Sequence, residues 1–136
     1  MEWHNKEFLI SDDIKNILLC EVVCLHTEVN GLDGYSEEKF RRLLDTSFWL
    51  GLYKEKKLIG FVRAVTDKET LCYICDIIID TKFQRQGLGS WMMNCFLMHP
   101  DVCQTSMGLG TQDADYFFRK FDFERCSTMR RLSRPE

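Results

Sequence analysis

The sequence predicts an α/β domain in which a mixed, mostly antiparallel sheet carries helices on both faces. Its 136 residues, 45% of them hydrophobic, are enough to bury one core, so we expect residues 1–136 to form a single domain. Strand and helix patterns alternate along the chain, as in layered α/β folds. Residues 71–79, LCYICDIII, are apolar on both faces of the expected strand, which is typical of a central strand. One face would carry Tyr73, Cys75, Ile77 and Ile79, and the other would carry Ile74 and Ile78.

The first part of the chain predicts one strand followed by two helices. Residues 7–10, EFLI, read as a short strand, and Ser11 follows as an N-cap with two aspartates in the first helical turn. Ser36, followed by two glutamates, predicts the start of the second helix. Apolar residues recur at helical spacing in the first helix, at Ile14, Ile17, Leu18, Val22, Leu25 and Val29.

The remaining elements are three strands, a helix, a strand, a helix and a final strand. Residues 48–66 predict a hairpin, and residues 71–79 predict a third antiparallel strand. We expect a short strand in residues 105–111, a short helix in residues 114–121 and a last strand in residues 123–132. The helix that follows residues 71–79 is predicted by an apolar stripe that stops before a His-Pro pair. The members of this stripe are Leu88, Trp91, Met92, Cys95 and Phe96.

Charge and hydropathy exclude several classes of partner. The 18 basic and 21 acidic residues sum to −3, so no general basic field draws the protein to nucleic acid or an anionic membrane. The first ten residues lack the apolar segment of a signal peptide, and no apolar run approaches the roughly 18 residues of a membrane span. We therefore expect a soluble, cytoplasmic protein.

The cysteines indicate reduced thiols and no metal site. They number seven, an odd count, and lie dispersed among apolar neighbours. Cys72 and Cys75 form a C-x-x-C pair, but residues three apart on a strand point to opposite faces. A zinc or redox pair is therefore not favoured, and no metal is expected.

The stretch DTKFQRQGLGSWMMNCF, residues 80–96, turns from a buried strand into a helix and predicts an anion site. The first N–H groups of a helix have no partner inside it, and the helix dipole adds positive charge there. Gly87 and Gly89 leave room for a phosphate to approach the backbone, and side-chain donors precede them at Gln84, Arg85 and Gln86.

Two other phosphate loops do not fit this stretch. No lysine follows Gly89, which excludes a Walker loop, and Met92 occupies the third glycine position of a dinucleotide loop. Alternatively, the glycines only form a tight strand-to-helix turn, and two glycines alone do not separate this interpretation from a phosphate site.

Two motifs together resemble the GCN5-related N-acetyltransferase (GNAT) family. The pattern Gln84-x-x-Gly87-x-Gly89 after a buried strand is similar to the family's acetyl-CoA loop, [QR]-x-x-G-x-[GA]. ADYFFRKFDF, residues 114–123, resembles the family's later A-x-x-x-Y-x-K-x-G-F segment. The order of elements also resembles the family over nearly the whole chain, which implies the acyl-CoA N-acyltransferase (GNAT) sandwich.

The resemblance implies an acetyl-CoA site with residues in defined places. The strand before the loop would separate from its neighbour, and its backbone would pair with the pantetheine arm at Ile77, Ile78 and Ile79. The loop amides would hold the pyrophosphate at Gln84, Arg85, Gln86, Gly87, Leu88, Gly89 and Ser90. Thr111 stands where an asparagine often contacts the cofactor, and Phe118 where a tyrosine often protonates the leaving sulfur.

The implied reaction is direct transfer of an acetyl group from acetyl-CoA to an amine. An amine with a pKa near 10 is about 99.9% protonated at pH 7, so a base must remove its proton before attack. Asp76, in an otherwise apolar strand, is the candidate base, since removal from water makes a carboxylate more basic. Alternatively, this aspartate only pairs with a lysine or arginine, or accepts a backbone hydrogen bond at a bulge.

The chain departs from the family pattern at its later motif. Phe118 has no proton to give, and Tyr116 should face away from it because two helical residues are about 200° apart. Asp122 stands where the family usually has glycine. A thiol with a pKa around 8.5 is nonetheless a fair leaving group without full protonation. An acyl-CoA-binding or regulatory module with weak or no catalysis is therefore the alternative function.

The acceptor is expected to be a primary amine of a small molecule or a lysine-like group. Four acidic residues could attract such an amine: Glu28, Asp33, Glu37 and Glu38. Charges of this kind on a loop or a helix start are usually just solvated. Four aromatic residues leave recognition and packing both open: Trp3, His4, His26 and Trp49. A homodimer is compatible with an exposed sheet edge on a small, apolar chain.

Overall fold

The computed structural model describes residues 1–31 and 34–134. A six-stranded sheet has its strands in chain order, β1 to β6. The strands are β1 (Glu2–Asn5), β2 (Phe8–Ser11), β3 (Phe48–Lys54), β4 (Lys57–Thr66), β5 (Leu71–Ile79) and β6 (Ser106–Leu109). Neighbouring strands pair antiparallel except β5 and β6, which pair parallel. The predicted mixed, mostly antiparallel sheet is confirmed.

Helices cover both faces of this sheet. They are α1 (Leu19–Asn30), α2 (Glu37–Thr46), α3 (Leu88–Met98) and α4 (Asp115–Arg119). The α1 and α2 side buries a cluster that includes Val22, Phe40 and Trp49. The opposite side buries a cluster centred on α3, with Met92 and Phe96 fully enclosed. Each helix therefore places its apolar stripe against one face of the sheet.

Two helix boundaries follow directly from the sequence signals. The Ser36 hydroxyl accepts a hydrogen bond of 3.1 Å from the Lys39 amide, so Ser36 is the N-cap of α2 as predicted. Helix α3 ends at Met98, and His99 is its extended C-cap, because Pro100 has no N–H and its ring disfavours a helical conformation at the residue before it.

The predicted start of the first helix is wrong. Ser11 is buried in β2, where its backbone pairs with Glu2 on one side and Gly51 on the other. Pairing on both sides holds Ser11 extended, so the chain makes only a short 3-10 turn at Ile14–Asn16 before α1 begins at Leu19. The aspartate that caps this short turn is Asp13, which accepts a 2.9 Å hydrogen bond from the Lys15 amide.

The two ends of the described chain also differ from expectation. Strand β1 was not predicted, and it forms because Glu2–Asn5 pairs with β2 in a tight hairpin. The last predicted strand, residues 123–132, has no strand structure. Its apolar residues recur at every third position, so neither face of a strand would gather them, and Met129 is fully exposed.

A bulge in β5 changes which residues share a face. Arg63 of β4 lies opposite Asp76, but the next residue, Ala64, lies opposite Ile74, so Cys75 is an extra residue in β5. The extra residue shifts the two-residue alternation of β5 by one position.

The assignment of faces made from strict alternation is therefore wrong at this point. Ile74 packs with Ile77 and Ile79 in the α3-side cluster, while Ile78 packs in the α1 and α2 cluster. Tyr73 is half exposed rather than covered by a layer. The bulge thus turns the second half of β5 relative to the first, and Asp76 faces α1 as a result.

Candidate active site

The candidate site lies where β5 and β6 separate. Strand β6 pairs with β5 only from Leu71 to Ile74, whereas β4 accompanies β5 as far as Ile79. Among the described residues, no strand therefore pairs with the outer edge of residues 75–79. A cleft of about 870 Å³ opens at this edge. The strand separation implied by the family resemblance is present.

A structured loop leads from the end of β5 to α3. Asp80 caps a short 3-10 turn at Thr81–Phe83 by accepting a 2.9 Å hydrogen bond from the Lys82 amide. Gln84 then folds back, and its side-chain amide donates a 2.9 Å hydrogen bond to the Ile79 carbonyl. This side chain stabilises the loop rather than offering a free donor to the cleft.

The last loop residues turn the backbone so that the N-terminus of α3 faces the cleft. Arg85 and Gly87 have positive φ angles of 66° and 79°, and Gly87 is the N-cap of α3 without a side-chain cap. The first helical hydrogen bond runs from Trp91 to the Gly87 carbonyl, so the three preceding amide groups lack an intrahelical acceptor. Unpaired N–H groups and the positive end of the helix dipole favour an anion here.

The two glycines leave space beside these amides. A Cβ at Gly87 would have no described atom within 4 Å, and a Cβ at Gly89 would lie in ordinary contact with the Phe117 ring at 3.7 Å. The glycines are therefore not required for internal packing of the protein. Of these two glycines, only Gly87 adopts a left-handed backbone conformation.

Nearly all residues predicted to form the site line the cleft. They are Asp76, Ile77, Ile78, Ile79, Gln84, Arg85, Gly87, Leu88, Gly89, Ser90, Thr111 and Phe118. Gln86 is the exception: it is exposed and does not line the cleft.

The carboxylate of Asp76 is held by an arginine. Arg63 Nε donates a 2.7 Å hydrogen bond to Asp76 Oδ2, and Arg63 Nη1 donates to the Ser47 hydroxyl at 3.2 Å. Both charged side chains are largely buried. The ion-pair alternative foreseen for Asp76 is therefore present, and Asp76 nonetheless lines the cleft.

A buried histidine approaches the other oxygen of this carboxylate. His26 Nε2 of α1 lies 3.7 Å from Asp76 Oδ1, and the His26 side chain is 5% exposed. Burial lowers the pKa of His26, Asp76 partly opposes this shift, and Arg63 reinforces it. His26 was one of four aromatic residues with an undecided role, and only the fold brings it beside Asp76.

The residues of the later motif lie on the opposite side of the cleft. Phe118 lines the cleft, whereas Tyr116 is 85% exposed and does not, as the helical angle predicts. The Thr111 hydroxyl accepts a 3.1 Å hydrogen bond from the Ala114 amide, so it helps to start α4. Asp122 has a φ of 67°, which explains why the family pattern has glycine there, and aspartate tolerates this conformation better than most residues.

Several lining residues were not predicted. Lys120 Nζ lies 3.4 Å from the Ser90 hydroxyl and 4.9 Å from the centre of the Phe117 ring, which places a positive charge near the α3 N-terminus. The lysine of the quoted family pattern was a signal for Lys120. Cys75 lines the cleft because of the bulge, for which the sequence offers no signal.

The acidic residues considered for the acceptor mostly have partners. Glu28 accepts a 2.6 Å hydrogen bond from Thr81, and Glu37 and Glu38 each lie within 4 Å of an arginine one helical turn later. Asp33 lies outside the described residues. The carboxylates of Glu28, Glu37 and Glu38 do not line the cleft.

Searches for a metal cluster and a membrane span covered the described residues. No group of three or more histidine, cysteine, aspartate or glutamate side chains there is placed to hold a metal ion. None of the helices in residues 1–31 and 34–134 combines the length and apolarity needed to cross a membrane.

Comparison with known proteins gives one family. Residues 12–121 match the family model described as "Acetyltransferase (GNAT) family". A relative in Arabidopsis thaliana, "GCN5-related N-acetyltransferase 2, chloroplastic", is 34% identical over 74 residues. The match covers 52% of this chain and 28% of that relative, so the chain corresponds to well under two thirds of the relative's length.

Solved structures with low sequence identity share the fold. A GNAT-family acetyltransferase structure from Xanthomonas campestris pv. campestris superposes with a TM-score of 0.83 at 20% identity, covering 93% of each chain. Protein SA2161 from Staphylococcus aureus gives 0.78 at 23% identity, covering 93% of this chain and 99% of that one. An aminoglycoside acetyltransferase from a soil metagenomic sample, in complex with sisomicin, gives 0.70 at 16% identity, covering 95% and 98%.

Proposed function

The chain belongs to the acetyltransferase (GNAT) family, and on this premise we propose that it transfers an acetyl group from acetyl-CoA to a primary amine. The observation that carries the proposal is one continuous surface: the open outer edge of β5 runs directly into the α3 N-terminus. A long cosubstrate with an amide-bearing arm and a pyrophosphate matches both parts of this surface.

The proposed cosubstrate site uses backbone groups more than side chains. The free edge at Ile77, Ile78 and Ile79 offers strand-type hydrogen bonds to the amides of a pantetheine arm. The unpaired amides at the start of α3 suit the pyrophosphate, and Arg85 and Lys120 add positive charge around them. Acetyl-CoA would supply a thioester, whose carbonyl carbon accepts an amine.

Asp76 is proposed to take the proton from the acceptor amine. It lines the cleft on the face toward α1, which is separate from the loop that would hold the phosphates. Its Oδ2 is hydrogen-bonded to Arg63, so Oδ1 is the oxygen left to receive a proton. As the amine nitrogen bonds to the carbonyl carbon, the carbon–sulfur bond breaks and the thiolate leaves.

No side chain with an acidic proton stands at the usual place to protonate that thiolate. Phe118 lines the cleft there, and Tyr116 is exposed on the far side of α4. The thiolate then leaves as such or takes a proton from water, since a thiol pKa around 8.5 makes it a fair leaving group.

The alternative is an acyl-CoA-binding or regulatory module with weak or no catalysis. Phe118 supports it, since a general acid is absent from that position. The ion pair between Asp76 and Arg63 also supports it, because a carboxylate held by a guanidinium is a weaker base. Both functions need acetyl-CoA or a related thioester in the same cleft, so they differ only in turnover.

One experiment separates these functions. Acetyl-CoA binding is measured by calorimetry, and release of CoA is followed by chromatography with polyamines, amino sugars, amino acids and lysine peptides. Chromatography is required because the chain's own seven cysteines would react with thiol reagents. Amine-dependent release supports the transferase, and binding without release supports the module. Absence of binding would contradict both.

Four further predictions accompany the proposal. A single domain is proposed to hold the whole site, since one sheet, its helices and the loops between them supply the lining residues. The acceptor is proposed to be a small molecule or a lysine-like group. The cytoplasmic location and the homodimer stay predictions from the sequence.

A further inference from the structure

His26 is a buried polar side chain that the proposed function does not yet use. It is 4% exposed, and its Nδ1 has no hydrogen-bond partner among the described residues. Its other nitrogen, Nε2, lies 3.7 Å from Asp76 Oδ1. Buried polar atoms are usually paired, so an imidazole with a free nitrogen is a poor choice for packing alone.

Aromatic rings hold this imidazole in place. The Tyr35 ring stacks on it with centroids 5.0 Å apart, and the Phe40 ring of α2 contacts it edge-on, also at 5.0 Å. Lys39 Nζ lies 3.9 Å from the centre of the Tyr35 ring. The ring of His26 is therefore fixed in an orientation that directs Nε2 toward Asp76.

His26 and the nearby cation Arg63 both approach the carboxylate of Asp76. Asp76 of β5 lies between His26 of α1 and Arg63 of β4, with one oxygen toward each. Arg63 is a permanent cation, whereas burial lowers the pKa of His26, so the ring is neutral near pH 7. Asp76 then has one cationic neighbour at neutral pH and two when His26 is protonated.

We propose that His26 is a positioning residue for Asp76: the neutral imidazole leaves Oδ1 free to accept the proton of the amine, and the imidazolium pairs with that oxygen and stops transfer. The mechanism rests on the proposed function. When His26 is protonated, both oxygens of Asp76 face a cation, Oδ2 toward Arg63 and Oδ1 toward the imidazolium, so neither is left to accept the proton of the amine. The Nε2–Oδ1 distance of 3.7 Å allows the ring and the carboxylate to draw together on protonation.

The chain contains a matched control for this proposal. His99 is 5% exposed and its Nε2 lies 2.8 Å from Asp12 Oδ2, so it is also a buried histidine paired with an aspartate. Neither His99 nor Asp12 lines the cleft. His26→Gln and His99→Gln therefore remove comparable rings, but only the first removes a neighbour of Asp76.

The test compares rates of these two variants with wild type across pH, using acetyl-CoA and the most active amine. Dividing variant by wild-type rate cancels the titration of the amine itself. Below the His26 pKa, the ratio for His26→Gln should rise about tenfold per pH unit, since only the wild type is being switched off. The ratio for His99→Gln should stay constant. A constant ratio for both variants would overturn the proposal.

NMR titration of the three histidines gives a readout without turnover. The Asp76→Asn substitution should lower the pKa of His26, because a carboxylate favours the charged ring. If His26 does not titrate while the protein is folded, or ignores Asp76→Asn, the proposal is wrong. If acetyl-CoA binds but no amine is acetylated, the proposed transfer and this role of His26 are both wrong. The titration then shows separately whether the charges of His26 and Asp76 are coupled.

Discussion

Arg63 Nε donates a 2.7 Å hydrogen bond to Asp76 Oδ2 directly across the β4–β5 ladder, with the two side chains 8% and 13% exposed. Arg63→Met would leave the carboxylate buried without its cation, and we expect unfolding free energy to fall by about 3 kcal/mol. Urea denaturation measures this loss. The double variant Arg63→Met with Asp76→Asn should recover part of it. A loss below about 1 kcal/mol for the single variant would contradict a tightly coupled pair.

Gly89 provides a test of the cofactor site that is independent of stability. Gly89→Ala adds a methyl group within ordinary contact of Phe117, at a helical position where alanine gains about 0.5–1 kcal/mol over glycine. Stability should therefore hold or rise, while acetyl-CoA affinity falls about tenfold, or about 1.4 kcal/mol. Calorimetric titration and urea denaturation check both. Unchanged affinity would place the pyrophosphate elsewhere.

Gly87 should respond differently. Its φ of 79° disfavours a side chain, so Gly87→Ala should cost about 1–2 kcal/mol of stability even though the added methyl meets open space. The same denaturation experiment measures this cost. Equal stability of the Gly87 and Gly89 variants would mean that the left-handed turn is not the reason for glycine at position 87.

Restoring the family's tyrosine at position 118 tests whether a general acid for the leaving thiolate would speed the reaction. Phe118→Tyr places a hydroxyl on a ring that lines the cleft, and we expect the turnover number at pH 7 to rise about tenfold. This is less than the roughly 10²–10⁴-fold of general acid catalysis, because the thiolate is already a fair leaving group. Tyr116→Phe is the control, since that ring is 85% exposed. If Phe118→Tyr changes nothing while acetyl-CoA still binds, protonation of the thiolate does not limit the rate.

Cys75 reports on occupancy of the cleft. Its thiol lines the open edge of β5, and burial raises its pKa, so alkylation should be slow in the free protein. Acetyl-CoA at 100 times its Kd should slow it further, by at least about tenfold. Peptide mass spectrometry after timed alkylation measures the effect. Exposed Cys103 is the internal control, and equal protection of both would indicate a global change.

Protonation of His26 should make the free energy of unfolding depend on pH. Its folded pKa is lowered below 6.5, so between the folded and unfolded values the unfolded chain binds more protons. Its contribution is therefore complete above about pH 6.5 and is lost as pH falls toward the folded pKa. His26→Gln should lose less stability than wild type between pH 7.5 and 5, as measured by urea denaturation. An identical loss would contradict a buried, neutral ring.

Local signals predicted most elements well. The hairpin of β3 and β4, the Ser36 cap and the His-Pro stop each depend on a few neighbouring residues, and the structure has all of them. The errors fall where pairing across the sheet decides conformation. Ser11 has the chemistry of an N-cap, but strands on both sides hold it extended.

The loop and its glycines could also be predicted from neighbouring residues alone. A strand, a left-handed turn at Gly87 and a helix N-terminus are consecutive in the chain, so their order alone indicates an anion site. The lining side chains of α4 were placed by helical spacing and the second motif. Gln84 and Gln86 were predicted as donors, but in the folded loop Gln84 donates to the Ile79 carbonyl and Gln86 does not line the cleft.

By itself, the sequence determined the order of elements from β2 to α4, the resemblance to one family and the candidate loop, because these depend on short-range patterns. Only the tertiary structure decided the environment of Asp76. The bulge at Cys75 turns that carboxylate toward α1, and packing then brings it between Arg63, 13 residues away, and His26, 50 residues away. Backbone register and long-range packing have no local signature, so the chemistry of this carboxylate appears only in the fold.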